Sequence, residues 1–116
     1  MKAIHHCRSS VKRFGGLEED YHSIHAWFDQ SKEHYGDIRH RALRHHTLGV
    51  QQCEDEFGLW LINSDGKKVP VKSIAEQHIR EDLGFIPTLQ DWYKHIRPQP
   101  WMASTKKNTL KKMNLM

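Results

Sequence analysis

The sequence has little cysteine and no long apolar segment, and both deficits narrow the class of protein. Two cysteines in 116 residues, Cys7 and Cys53, are too few for the disulfide framework of a small secreted domain. They also form no Cys-x-x-Cys zinc pattern. No apolar run approaches the roughly 18 residues of a membrane-spanning helix, and the first residues lack the apolar stretch of a signal peptide. We therefore expect a soluble, cytoplasmic protein with reduced thiols and no membrane contact.

The best-known catalytic signatures are missing as well. The chain contains neither the glycine-rich loops that bind nucleotide phosphates nor the Gly-x-Ser-x-Gly turn of serine hydrolases. It has no His-Glu-x-x-His zinc motif and no adjacent His-Asp dipeptide of the kind that HD phosphohydrolases use. Any functional site must therefore be inferred from how side chains are distributed over the predicted elements.

The charge distribution says little about partners. Four lysines follow residue 102, and the other 14 basic residues equal the 14 acidic ones, so residues 1–102 carry no net charge. We interpret residues 103–116 as a basic, flexible tail with weak, nonspecific attraction to nucleic acid. The charge of the folded part gives no indication of nucleic-acid recognition.

The hydrophobic periodicity predicts a mainly α protein, a small single-domain helical bundle of about four helices over residues 1–102. One short β-hairpin is predicted at about residues 59–71, where an Asp-Gly turn separates two apolar runs. The helices are predicted over residues 20–35, 38–57, 74–83 and 89–96.

Several residues mark the predicted helix boundaries. Asp37 is a suitable N-cap for the second helix, and capping boxes that begin at Ser73 and Thr88 open the third and fourth. Residues 1–16 mix basic and small side chains and end in two glycines, so they are predicted to form an irregular arm.

Histidine is abundant, with ten in the chain, and its placement on the predicted helices is informative. At 100° per residue, His78 and Asp82 share the apolar side of the third helix. His25 and Asp29 have the same spacing on the first helix, where Lys32 extends the polar strip beside the apolar stripe. Two His-xxx-Asp pairs are thus predicted to approach the interior.

The second predicted helix adds a third set of polar side chains. His46 and Arg39 fall within its apolar arc, and Glu54 lies at the edge of that arc. Burying several ionisable groups costs several kcal/mol each unless they are paired or bind a metal. The sequence therefore predicts a metal site between helices, with five candidate ligands: His25, Asp29, His46, His78 and Asp82.

The donor types indicate a chemistry for this predicted site. A mixed shell of imidazole and carboxylate suits a divalent transition metal, namely Mn, Fe, Ni or Zn. An ion with an open position activates water, which makes a hydrolase the leading hypothesis. Arg39 and Lys32 would neutralise a small anionic substrate such as a phosphate ester. Glu54 or Glu76 would orient a ligand or act as a base.

The sequence also resembles an uncharacterised family of small bacterial and phage proteins. Three strings carry the resemblance: HAWFDQSKEHYGDIRHRALRHH (25–46), NSDGKKVPV (63–71) and EQHIREDLGFIPTLQDWY (76–93). The match spans roughly residues 6–102 and implies a phage or bacterial origin. It implies no activity.

Two hypotheses of different classes follow from the sequence. In the first, the chain is a small metal-binding protein of hydrolase type. In the alternative, it is a non-enzymatic phage or bacterial accessory protein that binds a macromolecular partner. Its polar cluster is then structural, made of satisfied core histidines and ordinary ion pairs. The metal content of the purified protein separates the two hypotheses; the oligomeric state is left open by both.

Overall fold

The computed structural model describes residues 1–103 and has a mainly α fold with one two-stranded hairpin, as predicted. The elements in chain order are α1 (Ala3–Phe14), α2 (Glu18–Phe28), α3 (Thr47–Phe57), β1 (Trp60–Ile62), β2 (Lys68–Pro70), α4 (Val71–Leu83) and α5 (Leu89–Tyr93). Short 3₁₀ segments span Gln30–Glu33, Ile38–Leu43 and Pro100–Met102. Apart from Ala103, the predicted tail lies outside the described residues.

Helix α4 is the centre of the packing. It contacts α1, α2, α3 and the hairpin strand that precedes it, so residues from all of these elements meet on its faces. The buried apolar core consists of Cys7, Tyr21, Ile24, Phe28, Val50, Cys53, Val69, Val71, Ile74, Ala75 and Ile79. None of the helices within residues 1–103 combines the length and apolar character that crossing a bilayer requires.

The first correction concerns the N-terminal segment, which is a helix rather than an irregular arm. Helix α1 runs from Ala3 to Phe14 and ends at Gly15, whose φ of 84° suits glycine. Its inward face carries His6, Cys7 and Ser10, all 0–1 % exposed. Two of these three residues are polar, so a search for apolar periodicity could not detect the buried face.

The second correction concerns the helices predicted over 20–35 and 38–57, both of which are shorter. Helix α2 ends at Phe28, and a 3₁₀ segment follows it. The other span begins as the 3₁₀ segment Ile38–Leu43, where Asp37 accepts a hydrogen bond from the Arg39 backbone as the predicted cap. The α-helical part begins only at Thr47, so the projection of residues 38–46 on one α-helix was wrong.

The break before α3 has a specific cause. The Nδ1 atom of His46 accepts a hydrogen bond of 2.9 Å from the Gly49 backbone, which makes His46 the N-cap of α3. The Arg44 backbone passes so close to Gly49 that a Cβ there would overlap the Arg44 carbonyl group, with its carbon only 2.6 Å away. Glycine at position 49 therefore permits the tight turn at residues 44–46.

The remaining boundaries show two wrong and two correct predictions. The helix predicted over 89–96 ends at Tyr93. Helix α4 begins at Val71, directly after Pro70, so the capping box predicted at Ser73 is wrong. The box at Thr88 is present: Thr88 Oγ1 accepts from the Asp91 backbone, and Asp91 Oδ2 accepts from the Thr88 backbone. The hairpin is present as well, with Leu61 opposite Val69.

Candidate metal centre

Four buried imidazoles converge between the helices. His6 comes from α1, His25 from α2, His45 from the turn before α3, and His78 from α4; each is 0 % exposed. The rings of His6 and His78 stack with their centroids 3.8 Å apart. Four imidazoles are costly to bury unless their nitrogens have hydrogen-bonding or ionic partners. The atoms around each ring nitrogen therefore determine the chemistry of the cluster.

The Asp82 carboxylate, on α4, contacts three of these rings and is 1 % exposed. Its Oδ2 atom lies 2.9 Å from His45 Nε2 and 3.2 Å from His78 Nε2, while its Oδ1 atom lies 3.2 Å from His6 Nε2. Arg41 Nη2 is 3.7 Å from Oδ1, and the Met1 amino group is 3.1 Å from it. Five nitrogens thus lie within 4 Å of this carboxylate.

A second carboxylate approaches from the end of α2. Asp29 follows the last residue of that helix, and its Oδ1 atom lies 3.6 Å from His78 Nε2 and 3.7 Å from His45 Nε2. Its side chain is 20 % exposed, so it is the wetter of the two carboxylates. It also lines a cavity of about 580 Å³, together with Trp27 and Glu33. Asp29 therefore connects the buried cluster with solvent.

Glu81 fixes the orientation of His6. The Nδ1–H group of His6 donates to Glu81 Oε1 at 2.9 Å, since a carboxylate can only accept. Whenever the ring carries a single proton, His6 Nε2 is therefore the unprotonated nitrogen. This arrangement, with a carboxylate on one side of a histidine and a free nitrogen on the other, is the one that metal-binding histidines adopt.

Three ring nitrogens in the cluster are buried without a hydrogen-bond partner among the described residues: His45 Nδ1, His6 Nε2 and His78 Nε2. The last two lie next to Asp82. Within residues 1–103, neither His6 Nε2 nor His78 Nε2 makes a bond of acceptable geometry, although each has an Asp82 oxygen 3.2 Å away. They approach the carboxylate at the right distance but in the wrong direction for a hydrogen bond. Two ligands of one ion, each bonded at about 2.0–2.2 Å, lie about 3.0–3.6 Å apart. The observed distances match that spacing.

Two groupings of donor atoms fulfil the distance requirement of a metal site. One is His6, Asp29, His78 and Asp82, and the other is His6, His25 and His78; within each, all donor atoms lie within 4.8 Å of one another. The second grouping places His25 Nδ1 2.9 Å from His78 Nδ1, a hydrogen-bond distance that requires a proton between them. The four-residue grouping has no such obstacle.

Burial and neighbouring groups set the charge of these residues. Burial raises the pKa of Asp82, but the adjacent imidazoles of His45, His6 and His78 outweigh it and hold that pKa far below its usual range. Burial lowers the pKa of His25 to about 2, with His78 and His6 adding to the effect. The cluster therefore combines an ionised carboxylate with a neutral imidazole.

His78 differs from the other buried histidines. Burial disfavours its charged form, but the carboxylates of Asp29 and Asp82 outweigh burial and raise its pKa. Burial lowers the pKa of His45 despite the hydrogen bond with Asp82. The two carboxylates thus attract positive charge to the position that His78 Nε2 faces.

These shifts give an expected pH dependence for the metal-free protein. The pKa values of His25, His40, His45 and His46 are lowered by burial, so unfolding lets these residues take up protons below about pH 6.5. His78, with a raised pKa, acts in the opposite direction. The free energy of unfolding should therefore fall between pH 6.5 and 4.5. The expected loss is about 1.4 kcal/mol per pH unit for each proton that the unfolded protein binds in excess of the folded one.

Urea denaturation at pH 7.5, 6.5, 5.5 and 4.5 measures this slope. Replacement of the exposed His34 with alanine should leave it unchanged, whereas His25→Asn should make it shallower. Constant or rising stability across that range would contradict the account of neutral buried histidines.

The structure brings together four of the five predicted ligands: His25, Asp29, His78 and Asp82. The fifth, His46, is buried, but both of its ring nitrogens bond with the backbone. Its Nδ1 atom accepts from Gly49, and its Nε2 atom bonds with the Leu43 carbonyl. Its neighbour His45 takes the inward position. The interruption of the helix at residues 44–46 rotates the chain, so the residue that faces the cluster is one position earlier.

The predicted catalytic residues lie elsewhere. Arg39 is exposed and makes a salt bridge of 2.7 Å with Asp37, and Lys32 is exposed on the first 3₁₀ segment. Glu54 and Glu76 line a separate groove of about 430 Å³ between α3 and α4. The cationic side chain beside Asp82 is instead Arg41, next to the Met1 amino group.

Three cluster residues were missed by sequence reasoning: His6, His45 and Glu81. Helix α1 was predicted as an arm, so His6 was never projected on a face. Glu81 follows His78 by three residues and therefore lies on the same side of α4. The same rule that paired His78 with Asp82 could therefore have found Glu81 in the sequence.

The fold and the cluster define a small helical domain with a buried histidine–carboxylate centre. The model of a family described as a domain of unknown function, DUF6915, matches residues 1–102, and the chain belongs to this family. No curated protein and no solved structure matches the chain. The matched range includes every residue of the centre.

Proposed function

We propose that the protein binds one divalent transition-metal ion between His6, His78, Asp29 and Asp82. One observation carries the proposal: two buried imidazole nitrogens without hydrogen-bond partners in residues 1–103 face two carboxylates at 3.2–3.6 Å. Facing lone pairs repel each other and are costly to bury unless a proton or a metal ion lies between them. A divalent ion would be bound by all four groups at once.

The donor set limits the kind of ion. Two imidazoles and two carboxylates are suited to Mn, Fe, Ni or Zn, and they are poorly suited to Ca or Mg, which prefer oxygen ligands. Helices α1, α2 and α4 supply or adjoin all four groups, so binding would connect three helices. Such a site stabilises the folded protein in proportion to the logarithm of ligand concentration.

As the activity of this centre, we propose metal-dependent hydrolysis of a small anionic ester. The cavity beside Asp29 supports access for a substrate and for water. Arg41 lies next to Asp82, and its Nε atom is buried without a partner among the described residues, so it would bind the anion in place of Arg39. We also propose a phage or bacterial origin, which the sequence resemblance implies.

Metal binding by tag-free, chelator-treated protein tests the proposal. Titration with Mn²⁺, Ni²⁺ and Zn²⁺ in a calorimeter should give one ion per chain for at least one metal, together with a raised melting temperature. His78→Ala and Asp82→Ala should each abolish binding, and the double variant should bind no more weakly than either single variant. His95→Ala, on an exposed histidine, is the matched control.

Two results would contradict the proposal. One is wild-type protein with no stoichiometric metal and an unchanged melting temperature. The other is tight binding that survives both single substitutions. Either would favour the alternative of a structural cluster in an accessory protein. Hydrolysis of p-nitrophenyl phosphate by the loaded protein, lost in the Arg41→Ala variant, tests the proposed activity separately.

A further inference from the structure

A chain of hydrogen bonds runs behind the cluster from α4 through α1 and α2 and back to α4. Ser10 Oγ lies 3.2 Å from Gln77 Oε1 and 2.8 Å from His25 Nε2. His25 Nδ1 lies 2.9 Å from His78 Nδ1. All four residues are buried, so water does not offer alternative partners.

The orientation of the Gln77 amide is fixed by its surroundings. Its Nε2 group lies 3.1 Å from the His6 carbonyl oxygen and 3.1 Å from Glu81 Oε1. A carbonyl and a carboxylate only accept hydrogen bonds, so the NH₂ group must face them. The Gln77 oxygen therefore faces Ser10 and can only accept.

The single proton of Ser10 is consequently committed. Three possible acceptors surround the hydroxyl: Gln77 Oε1 at 3.2 Å, the His6 carbonyl at 3.1 Å and His25 Nε2 at 2.8 Å. Among residues 1–103 the buried Gln77 oxygen has no other donor, so donation to His25 would leave two acceptors facing each other, a costly arrangement. The hydroxyl therefore donates to Gln77 and must accept a proton from His25. His25 therefore carries its proton on Nε2.

The state of His78 follows from that of His25. A neutral imidazole has one N–H group, so His25 Nδ1 is an acceptor and His78 Nδ1 must be the donor. The proton of a neutral His78 is then on Nδ1. Its Nε2 lone pair points to Asp29 and Asp82.

We propose that Ser10, Gln77 and His25 are positioning residues that fix His78 in the tautomer whose Nε2 binds the metal ion. The inference rests on the proposed metal site and deepens it, because it assigns His25 to the support of a ligand. Outer hydrogen-bond partners of this kind typically account for 10–100-fold in metal affinity. Helix α1 thus contributes one ligand, His6, and the hydroxyl that orients another.

The tautomers can be measured without metal. In a long-range ¹H–¹⁵N correlation spectrum of the metal-free wild-type protein at pH 7.5, we expect His25 to be protonated on Nε2 only. The His25→Asn spectrum, from which one imidazole is missing, assigns the signal. Protonation of His25 on Nδ1 would overturn the inference, whether or not the protein binds metal.

Metal affinity then tests the consequence. Ser10→Ala should weaken Zn²⁺ binding 10–100-fold, while Ser23→Ala, an exposed serine on the same helix as His25, should leave it unchanged. His25→Asn should retain most of the affinity, because its side-chain oxygen can accept where Nδ1 does, and His25→Leu should not. Full affinity in Ser10→Ala or His25→Leu would refute the positioning role. Absence of binding in the wild type would instead refute the metal site, and the spectrum would still decide the tautomer.

Discussion

The Asp82→Asn variant should lose about 3–5 kcal/mol of unfolding free energy in the metal-free protein. The substitution keeps the shape of the side chain and removes its charge. His78, Arg41 and the Met1 amino group would then face a buried amide instead of a carboxylate. Removing one partner of a buried charge network leaves the others uncompensated, and that penalty is large for His78, whose side chain is 0 % exposed.

Urea denaturation at pH 7.5 measures this loss. Asp55→Asn, on the exposed surface of α3, is the matched control and should stay within about 0.5 kcal/mol of wild type. An Asp82→Asn protein as stable as the control would show that the carboxylate is not the charge that holds the buried histidines.

Gly49→Ala is the second substitution with a large expected effect, a loss of about 4 kcal/mol or failure to fold. The added Cβ would collide with the backbone of Arg44, which cannot move like the end of a flexible side chain. Relief of the collision requires the turn at residues 44–46 to open, and His45 would move away from Asp82 with it. The cluster should therefore be damaged along with the fold.

Gly36→Ala serves as the control for Gly49→Ala. Among the described residues, no atom lies within 4 Å of a Cβ added at Gly36, and its φ is not positive. The control should match wild type or gain up to about 1 kcal/mol through reduced freedom of the unfolded chain. Thermal denaturation compares the two variants. Equal melting temperatures would mean that the turn before α3 adapts, which the geometry does not allow.

The sequence predicts some elements of this fold well because their signals are local. The Asp65-Gly66 turn and the Thr88–Asp91 box depend on neighbouring residues only, and both are present. The facing of His78 and Asp82 was also predictable, since both lie within one uninterrupted helix. These features need no knowledge of the rest of the chain.

Other elements depend on contacts distant in sequence and could not be predicted. The buried face of α1 includes His6 and Ser10, and burying it is favourable only because α4 supplies Glu81 and Gln77 as partners. Periodicity of apolar residues cannot detect such a face. The same is true of His45, whose position depends on the backbone approach at Gly49.

Anomalous X-ray diffraction from crystals of the protein loaded with Zn²⁺ or Mn²⁺ tests the central claim most directly. We expect one strong peak inside the bundle, about 2.0–2.2 Å from the Nε2 atoms of His6 and His78 and at similar distances from oxygens of Asp29 and Asp82. Bonding to Nδ1 of His78 would contradict the positioning role of His25. A cluster without a peak, in crystals that hold the metal at exposed histidines or not at all, would contradict the metal centre itself.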